Sequence, residues 1–497
     1  MKNTIDSQQK INISKHAKVV PYLFVILSVF IWVIWTTHWD AGLYGDNVEQ
    51  FVWVHSLEWG YYKHPPMPTW LLAIAIQLIG SHSWLTNALA AICFAVTGCL
   101  TWLIARHLFN EKVANVAIVL WTLQQCFSLS AQIYNHNTVL VMFMAAVVYT
   151  SLRATSGSKP GGWWLGAGIL AGCAMLSKYQ AALPLIVLFV TLCITSKQSV
   201  RYLLGGFALA GLGFVTVFSP HLCWAFVNKF PTLRYASAAL ESGGLVQRLS
   251  WVATFFVNQI RMVLPLLLVL GLCFAICKFR RPLLEPKVEE SRQLKQASTW
   301  LWGLIGAPIL IVLIISLISG SQLRNHWGVQ LFQFLPIWIA WHFRRSNALS
   351  LSCLIPVAIV IHAVGFAYYA IKQSNPHAVQ SERRADSAYP ARAMAQAALA
   401  HWRLQTSCPI KTVGGDFEAG LVSAFLKDFP LVYTSLEATP WIKQEQIRQH
   451  GMLYVADMNS TLPINAVAAT RWYLNNGASS SGKYIQFGVL LPANPCN

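Results

Sequence analysis

Charged residues are scarce in this chain of 497 residues. They make up 11% of it, whereas hydrophobic residues make up 55% and the mean hydropathy is +0.48. About a quarter of the residues of an ordinary soluble domain are charged, so this composition excludes one and indicates a membrane protein. The apolar content also excludes a disordered chain, and 11 dispersed cysteines exclude a small disulfide scaffold.

Acidic residues are scarcer than basic ones. The 18 Asp and Glu residues stand against 36 Lys and Arg residues, which gives a formal charge of +18. The basic residues lie between long apolar runs and form no basic stripe, so the charge does not indicate a nucleic-acid partner. Membrane lipids are the expected neighbours of most of the chain.

Apolar runs long enough to cross a bilayer recur along residues 1–371. A spanning helix needs roughly 20 mostly apolar residues, and we count about eleven such segments. They lie near residues 19–37, 84–105, 113–131, 138–152, 163–177, 181–195, 203–220, 250–277, 300–319, 328–342 and 348–370. Residues 69–80 are apolar but too short to span, and they predict an interfacial or re-entrant helix.

The distribution of Lys and Arg predicts the orientation. With the N-terminus in the cytoplasm, 18 of these residues fall on the cytoplasmic side and six fall outside before residue 371, so the positive side is inside. The first apolar run is too long for a signal peptide and has no cleavage site after it, which indicates a retained anchor. With an odd number of spans, everything after residue 371 lies outside the cytoplasm, which is the periplasm for a bacterial inner-membrane protein.

Residues 372–497 form a second region of mixed composition, with 11 basic and 8 acidic residues. A helix is predicted over 383–405. Short strands are predicted at 410–413, 431–434, 452–455 and 484–490, and helical stretches separate them. This pattern is typical of a small α/β domain.

Two details of this second region remain hypotheses. Cys408 and Cys496 are able to pair in an oxidising compartment, but nothing in the sequence shows that they do. Gly414-Gly415-Asp416 follows a predicted strand, as a phosphate-binding turn does, yet it lacks the Lys or the further glycines of such motifs. We therefore expect no nucleotide site there.

Polar and ionisable residues concentrate in the outer loops. The first outer loop, residues 38–68, is long and rich in them, and each of four later outer turns contributes at least one. Ionisable groups near a bilayer are costly unless they are solvated or paired, so this concentration suggests a shared water-filled cavity. Loop hydration and headgroup contact explain single residues better than a cavity does, but they do not explain the length of the first loop.

Two features of the first outer loop carry its chemistry. Asp46, Glu49 and Gln50 are spaced to share one face of a helix, whose apolar side is expected to lie on the membrane. The following Gly60-Tyr61-Tyr62-Lys63-His64-Pro65-Pro66 combines aromatic rings, basic groups and a rigid double proline. Such a turn is able to hold an anion.

These motifs resemble a known family. Asp46-Asn47-Val48-Glu49-Gln50 and the segment from Trp59 to Trp70 resemble the first outer loop of polyprenyl-phosphate-sugar-dependent glycosyltransferases of the GT-C fold, which include protein O-mannosyltransferases and lipid A aminoarabinose transferases. The likeness extends to residues 135–137, 176–179 and 219–221. The span count and the outer C-terminal domain agree with it.

The resemblance implies a catalytic role for the acidic residues of the loop. Asp46 inherits the position of the family's base, Asp40 is the fallback, and Glu49 is the second catalytic candidate. The implied reaction is inverting transfer, in which a carboxylate takes the proton of the acceptor hydroxyl while lipid phosphate leaves.

Cations are needed to stabilise that leaving phosphate. The candidate phosphate-binding residues are Lys63, His64, Lys178 and Arg324. The candidates for binding the sugar or the acceptor are Tyr61, Tyr62, Asn135, Asn137, Tyr179, His221 and His326. For the aromatic rings, a place in the aromatic belt of the membrane interface is an equal alternative.

Two departures from the family pattern leave metal binding open. Relatives often carry an acidic residue where Lys63 stands, and another where Asn137 stands. Both changes remove negative charge, which makes a divalent metal less favoured. Glu49 and several histidines remain able to ligate one, but their spacing is not diagnostic.

The sequence therefore predicts an α-helical polytopic membrane protein of about eleven spans with a GT-C-like fold. Residues 1–371 form the transmembrane glycosyltransferase domain, and residues 372–497 form a small periplasmic α/β domain. The predicted function is transfer of one sugar from a polyprenyl phosphate donor to a lipid, glycan or protein acceptor. A lipid or solute transporter is the alternative, although no internal repeat supports it. A membrane scaffold without catalysis leaves the first outer loop unexplained.

Overall fold

The computed structural model describes residues 2–156, 160–238, 243–277, 292–320, 322–374, 386–457, 460–463, 465–473 and 484–493. Most of them are helical. The helices are α1 Lys2–Trp39, α2 Gly45–Trp53, α3 Met67–Ile79, α4 Leu85–Leu108, α5 Glu111–Thr122, α6 His136–Ser156, α7 Pro160–Ser177, α8 Ala182–Thr195, α9 Val200–Val227, α10 Pro231–Ala238, α11 Leu245–Cys277, α12 Arg292–Leu301, α13 Ala307–Ser319, α14 Gly328–Leu331, α15 Leu335–His342, α16 Leu351–Ser374, α17 Ala391–Gln405, α18 Phe417–Phe425 and α19 Gln444–His450.

Seven helical stretches within the described ranges are long and apolar enough to cross a membrane. They are Val19–Trp39, Leu85–Leu108, His136–Ser156, Val200–Val227, Leu245–Ile276, Gln296–Ser319 and Leu351–Ser374. Several of the other predicted spans are shorter in the structure: α5 ends at Thr122 before a 3-10 turn, and the run near 328–342 is divided between α14 and α15. The protein is a helical membrane protein, and the count of eleven spans stays a prediction.

The described chain forms two compact units. Unit 1 comprises Met1–Val33, Ala91–Ala131 and His136–Phe366, and unit 2 comprises Ile34–Ala90, Gln132–Asn135 and Ala367–Asn497. This division is not a single cut along the chain. It does not test the boundary predicted at residue 371, which stays a prediction.

Unit 1 has an apolar core, and a short series of side-chain hydrogen bonds lies within this unit. Its largest buried cluster includes Trp102, Trp121 and Phe127. Within this unit the Trp32 indole donates to His362 Nδ1 at 3.1 Å, so the ring proton of a neutral His362 lies on Nε2, which is 3.2 Å from Thr122 Oγ1. Thr122 in turn donates to the Val119 carbonyl oxygen at 2.8 Å. Trp32, His362 and Thr122 thus form a series of hydrogen bonds in which each side chain has a partner, as the low dielectric of the core requires.

Unit 2 contains the predicted α/β domain. Its five strands are β1 Thr412–Gly414, β2 Leu431–Tyr433, β3 Met452–Asp457, β4 Val467–Tyr473 and β5 Tyr484–Leu490. The sheet order is β2-β1-β3-β5-β4, with β1 parallel to β2 and β3, and β5 antiparallel to β3 and β4. The four predicted strands are present. The sequence missed β4, an edge strand with mostly exposed side chains and an irregular register, because no alternating apolar pattern marks it.

The helix predicted over 383–405 is α17, and residues 383–385 lie outside the described residues. Cys408 takes part in a disulfide bond. Cys496, its hypothesised partner, also lies outside the described residues, so this pairing stays a prediction.

The apolar side of α2 is packed against protein, which corrects the expectation that it lies on the membrane. Val48 and Val52 are buried and lie against α18 at Gly420. A Cβ atom added at Gly420 would meet Val48 Cγ1 at 2.5 Å, so a larger residue would push the two helices apart. The absence of a side chain at Gly420 thus fixes α2 against the α/β domain within unit 2.

Candidate active site

Helix α2 presents the acidic residues of the first outer loop. It begins at Gly45, whose backbone N–H donates to Asp386 Oδ2 at 2.9 Å. A carboxylate at a helix N-terminus satisfies a free N–H group and interacts favourably with the helix dipole. Asp386 therefore fixes the start of the helix, and Asp46 and Glu49 follow one turn apart on the same face.

Asp46 is exposed to solvent and has one defined hydrogen bond. Its Oδ2 atom accepts from Asn135 Nδ2 at 2.7 Å. An exposed carboxylate held by a single amide donor keeps lone pairs for a further donor such as a substrate hydroxyl. Two predicted site residues, Asp46 and Asn135, are thus brought together.

Asn47, which the sequence reasoning did not single out, anchors α2 from its other side. It is fully buried, and its amide group donates to Thr86 Oγ1, Asn87 Oδ1 and the Gln132 carbonyl oxygen at 2.9 to 3.1 Å. Its Oδ1 atom accepts from the Tyr134 backbone N–H at 2.9 Å. Asn47 therefore joins α2 to the start of α4 and to the turn that carries Asn135.

Glu49 and Lys63 form an ion pair. Lys63 Nζ donates to Glu49 Oε1 at 2.7 Å, and the two side chains are 25% and 18% exposed, respectively. Burial raises the pKa of Glu49 to about 7, against the lowering effect of the Lys63 ammonium, and the nearby charge of Asp46 adds to the increase. A ring nitrogen of His64 lies within 4.8 Å of a carboxylate oxygen of Glu49.

The aromatic residues of the turn after α2 differ in position. Tyr61 is 2% exposed, stacks on Trp53 with ring centroids 4.8 Å apart, and donates its hydroxyl proton to the Ser56 carbonyl oxygen at 2.8 Å. Burial raises the pKa of Tyr61. Tyr62, in contrast, lines an open cavity. Tyr61 thus supports the turn, and Tyr62 is the ring that borders the cavity.

Asp40, the fallback base, lies in a closed hydrogen-bond network. Its Oδ1 atom accepts from the Tyr369 hydroxyl at 2.6 Å and from Gln373, and its Oδ2 atom accepts from Gln132 at 3.3 Å. Burial raises the pKa of Asp40 to about 6, and these hydrogen bonds partly offset the increase. The network occupies the carboxylate with protein donors.

Unit 2 has a cavity of about 400 Å³ beside α2. One wall comes from the first outer loop and the other from the α/β domain. Its lining residues are Gly45, Asp46, Val48, Glu49, Val52, Trp53, Tyr62, Lys63, Asp416, Phe417, Thr434, Ser435, Glu437 and Ala438. Asp46, the Glu49–Lys63 pair and Tyr62 therefore all border one space.

The remaining predicted site residues belong to unit 1, where two further pairs are defined. Lys178 Nζ donates to Asn137 Oδ1 at 2.9 Å. Tyr179 Oη and His221 Nε2 lie 2.7 Å apart, and His221 is fully buried in α9. The turn predicted around Arg324 has two further defined contacts, between Asn325 and the side chains of Asn258 and Gln259 on α11. Arg324 is half-buried and His326 is exposed.

The chain is similar to known membrane glycosyltransferases. Residues 63–224 match the family described as dolichyl-phosphate-mannose-protein mannosyltransferase. The chain is 20% identical over 327 residues to lipid A galacturonosyltransferase RgtD of Rhizobium johnstonii, and this alignment covers 64% of this chain and 65% of that protein. It is 28% identical over 185 residues to undecaprenyl phosphate-alpha-4-amino-4-deoxy-L-arabinose arabinosyl transferase 1 of Pseudomonas fluorescens, which covers 35% of this chain and 31% of that protein.

A solved structure has a similar fold. ArnT from Cupriavidus metallidurans bound to undecaprenyl phosphate matches with a TM-score of 0.60 at 14% identity, over 95% of this chain and 98% of that one. The chain has an ArnT-like fold, and the resemblance inferred from the first outer loop is confirmed. The curated relatives are both named as sugar transferases, which supports an enzyme over a transporter. Since the chain spans less than two thirds of the two curated relatives, its own activity is a proposal.

Proposed function

We propose that the chain is an integral membrane glycosyltransferase. It moves a single sugar, with inversion, from a polyprenyl phosphate donor to an acceptor at the periplasmic face of a bacterial inner membrane. The observation that carries the proposal is the cavity of unit 2, where the exposed carboxylate of Asp46 and the ammonium of Lys63 border the same space. Transfer from a lipid phosphate needs both a proton acceptor and a cation for the leaving group.

In this mechanism Asp46 is the general base. It accepts the proton of the acceptor hydroxyl as the acceptor oxygen bonds to the anomeric carbon. The bond from that carbon to the phosphate oxygen breaks, and its electron pair leaves with the polyprenyl phosphate. The hydrogen bond from Asn135 holds one oxygen of Asp46 in place, which leaves the other oxygen to the acceptor.

Cations are assigned to the leaving phosphate. Lys63 borders the cavity and supplies a point charge for the leaving phosphate. Glu49 then acts mainly by holding Lys63. His64, Lys178 and Arg324 are proposed as further phosphate ligands.

Sugar and acceptor contacts are assigned to the remaining polar residues. Tyr62 provides a ring face in the cavity, and Tyr61 supports it from the buried side of the turn. Asn135, Asn137, Tyr179 and His326 supply hydrogen-bonding groups for sugar hydroxyls. His221, which the sequence also suggested as a sugar ligand, is fully buried, and it holds the Tyr179 hydroxyl instead.

A divalent metal does not fit the Glu49 position well. Glu49 and His64 are close enough to offer two ligands, but the Lys63 ammonium 2.7 Å from Glu49 already occupies the place of a cation. We therefore derive no step through a metal.

The topology and the domains are part of the proposal. The excess of Lys and Arg in the loops assigned to the cytoplasm supports a cytoplasmic N-terminus and a periplasmic C-terminal domain. We retain residues 1–371 as the transmembrane domain and 372–497 as the soluble domain.

The test is a transfer assay with the purified full chain. A panel of polyprenyl-phosphate sugars is incubated with membrane lipid and glycan acceptors, and released polyprenyl phosphate is measured. Release that requires both donor and acceptor supports the proposal. If no donor of the panel gives release with any acceptor, and the donors instead cross the bilayer of proteoliposomes, the transporter alternative replaces it.

A further inference from the structure

The α/β domain supplies one wall of the cavity beside α2. Asp416 stands at the start of α18, directly after Gly415, and Thr434, Ser435 and Glu437 come from the segment after β2. Gly415 has φ +130°, and a Cβ atom there would lie 2.1 Å from the Val455 carbonyl oxygen. This backbone, which only glycine adopts easily, sets the direction in which the chain enters Asp416.

The lining of the cavity is acidic. Among the described residues that line it, Asp46, Glu49, Asp416 and Glu437 carry carboxylates, and Lys63 alone is basic. That ammonium is paired with Glu49 and, in the proposed reaction, also receives the donor phosphate. A second phosphate in the same space would meet carboxylates, and such juxtaposition of like charges is strongly unfavourable.

The same wall also offers an exposed hydroxyl. The Ser435 oxygen accepts from the Ala438 backbone N–H at 3.1 Å, and both residues line the cavity. A serine hydroxyl that accepts one hydrogen bond still has its own proton to donate, whereas carboxylates accept, so together these groups suit a ligand rich in hydroxyl groups.

From these observations we infer that the acceptor bound in this cavity offers a hydroxyl of an uncharged or cationic glycan unit, and not a phosphate or carboxylate group. Asp416 and Glu437 set this preference. The inference rests on the proposed function, since the acceptor hydroxyl loses its proton to Asp46 while the anomeric carbon exchanges phosphate oxygen for hydroxyl oxygen. It adds to that function the chemical class of the acceptor.

The experiment compares two acceptors that differ at one position. One is a lipid-linked glucosamine disaccharide with a free hydroxyl, and the other carries a phosphate monoester there. Transfer by the full chain is measured as released polyprenyl phosphate and as the mass gained by each acceptor. The test variant is the double substitution D416N/E437Q, which keeps the size of both exposed side chains. The matched control is D428N, because Asp428 is an exposed carboxylate of the same domain that does not line this cavity.

The expected result is transfer to the hydroxyl acceptor about tenfold faster than to the phosphate acceptor. The double variant should reduce this ratio, and D428N should leave it unchanged. Added salt should also reduce the ratio in the unmodified chain, because salt screens the repulsion. Equal or faster transfer to the phosphate acceptor overturns the inference and leaves the proposed function standing. A ratio unaffected by the double variant and by salt also overturns it. If no donor gives transfer to either acceptor, both the inference and the proposed function are wrong.

Discussion

Asp40 and Asp46 lie six residues apart in one loop and have opposite surroundings. Asp40 is half-buried and receives hydrogen bonds from Tyr369, Gln373 and Gln132. Asp46 is exposed, receives one from Asn135, and borders a cavity of about 400 Å³. Both residues are aspartates, so the residue type does not distinguish their roles. The number of protein hydrogen-bond donors does: a carboxylate with several donors stabilises the loop, and one with a single donor remains open to a substrate.

The largest expected effect is at the open carboxylate. Asp46→Asn should lower the transfer rate by about 10² to 10⁴-fold, because the amide cannot take the acceptor proton. The amide keeps an oxygen to accept from Asn135, so the unfolding temperature should change little. The measurement is polyprenyl phosphate release, with Asp428→Asn as the control. Transfer at the control's rate would remove Asp46 from the mechanism.

A smaller loss is expected at the residue that anchors the open carboxylate. Asn47→Ala leaves the buried partners of Asn47 without its amide, which should reduce the free energy of unfolding by about 3 kcal/mol. Transfer should also fall by about tenfold, because α2 and Asn135 lose their common anchor. Chemical denaturation and turnover are measured together, and the exposed Asn465→Ala is the control. Normal turnover in folded Asn47→Ala would mean that Asn47 does not position Asp46.

The two half-buried carboxyls, Asp40 and Glu49, predict how stability depends on pH. Burial raises the pKa of Asp40 to about 6 and of Glu49 to about 7, so the unfolded chain loses these protons more readily than the folded chain. Their contribution to stability is fully present below about pH 4 and is lost as pH rises through 6 and 7.

Unfolding temperature measured across this window should therefore fall with rising pH. Asp40→Asn should remove the earlier part of the decrease, and Glu49→Gln the later part. A profile that both variants leave unchanged would contradict the burial of these two groups.

The smallest effect is expected at the closed carboxylate. Asp40→Asn keeps an oxygen for the Tyr369 hydroxyl and brings an amide toward other donors, which should cost about 1 kcal/mol of stability. Transfer should stay within about twofold of the unmodified rate, since no proton of the proposed reaction passes through Asp40. A loss of transfer as deep as that of Asp46→Asn, in a folded protein, would break the comparison between the two residues.

The sequence predicted the parts of the site that depend on short-range spacing. The i, i+3 spacing of Asp46 and Glu49 places them on one face of α2, and the likeness of the loop to a known family gave the class. The tail could be recognised as an α/β domain because four of its strands are buried or half-buried runs between turns, whereas β4 was missed because its side chains are mostly exposed.

Contacts distant in sequence could not be predicted. No local pattern indicates that Asn47 reaches Asn87 and Gln132, or that Glu49 pairs with Lys63 across the turn. The apolar face of α2 has the composition of a membrane-surface helix, and only the three-dimensional structure shows that it covers α18 instead. Asp416 entered the sequence reasoning as part of a weak nucleotide motif, whereas in the structure it borders the cavity of Asp46.

The hydrogen bond from Gly45 to Asp386 joins positions 341 residues apart. During translation the ribosome makes α2 early, and the residue that caps it becomes available only after more than three hundred further residues have been added. The cavity is thus completed late in biosynthesis, so a nascent or truncated chain that ends before Asp386 exposes its acidic loop without the wall that would select an acceptor.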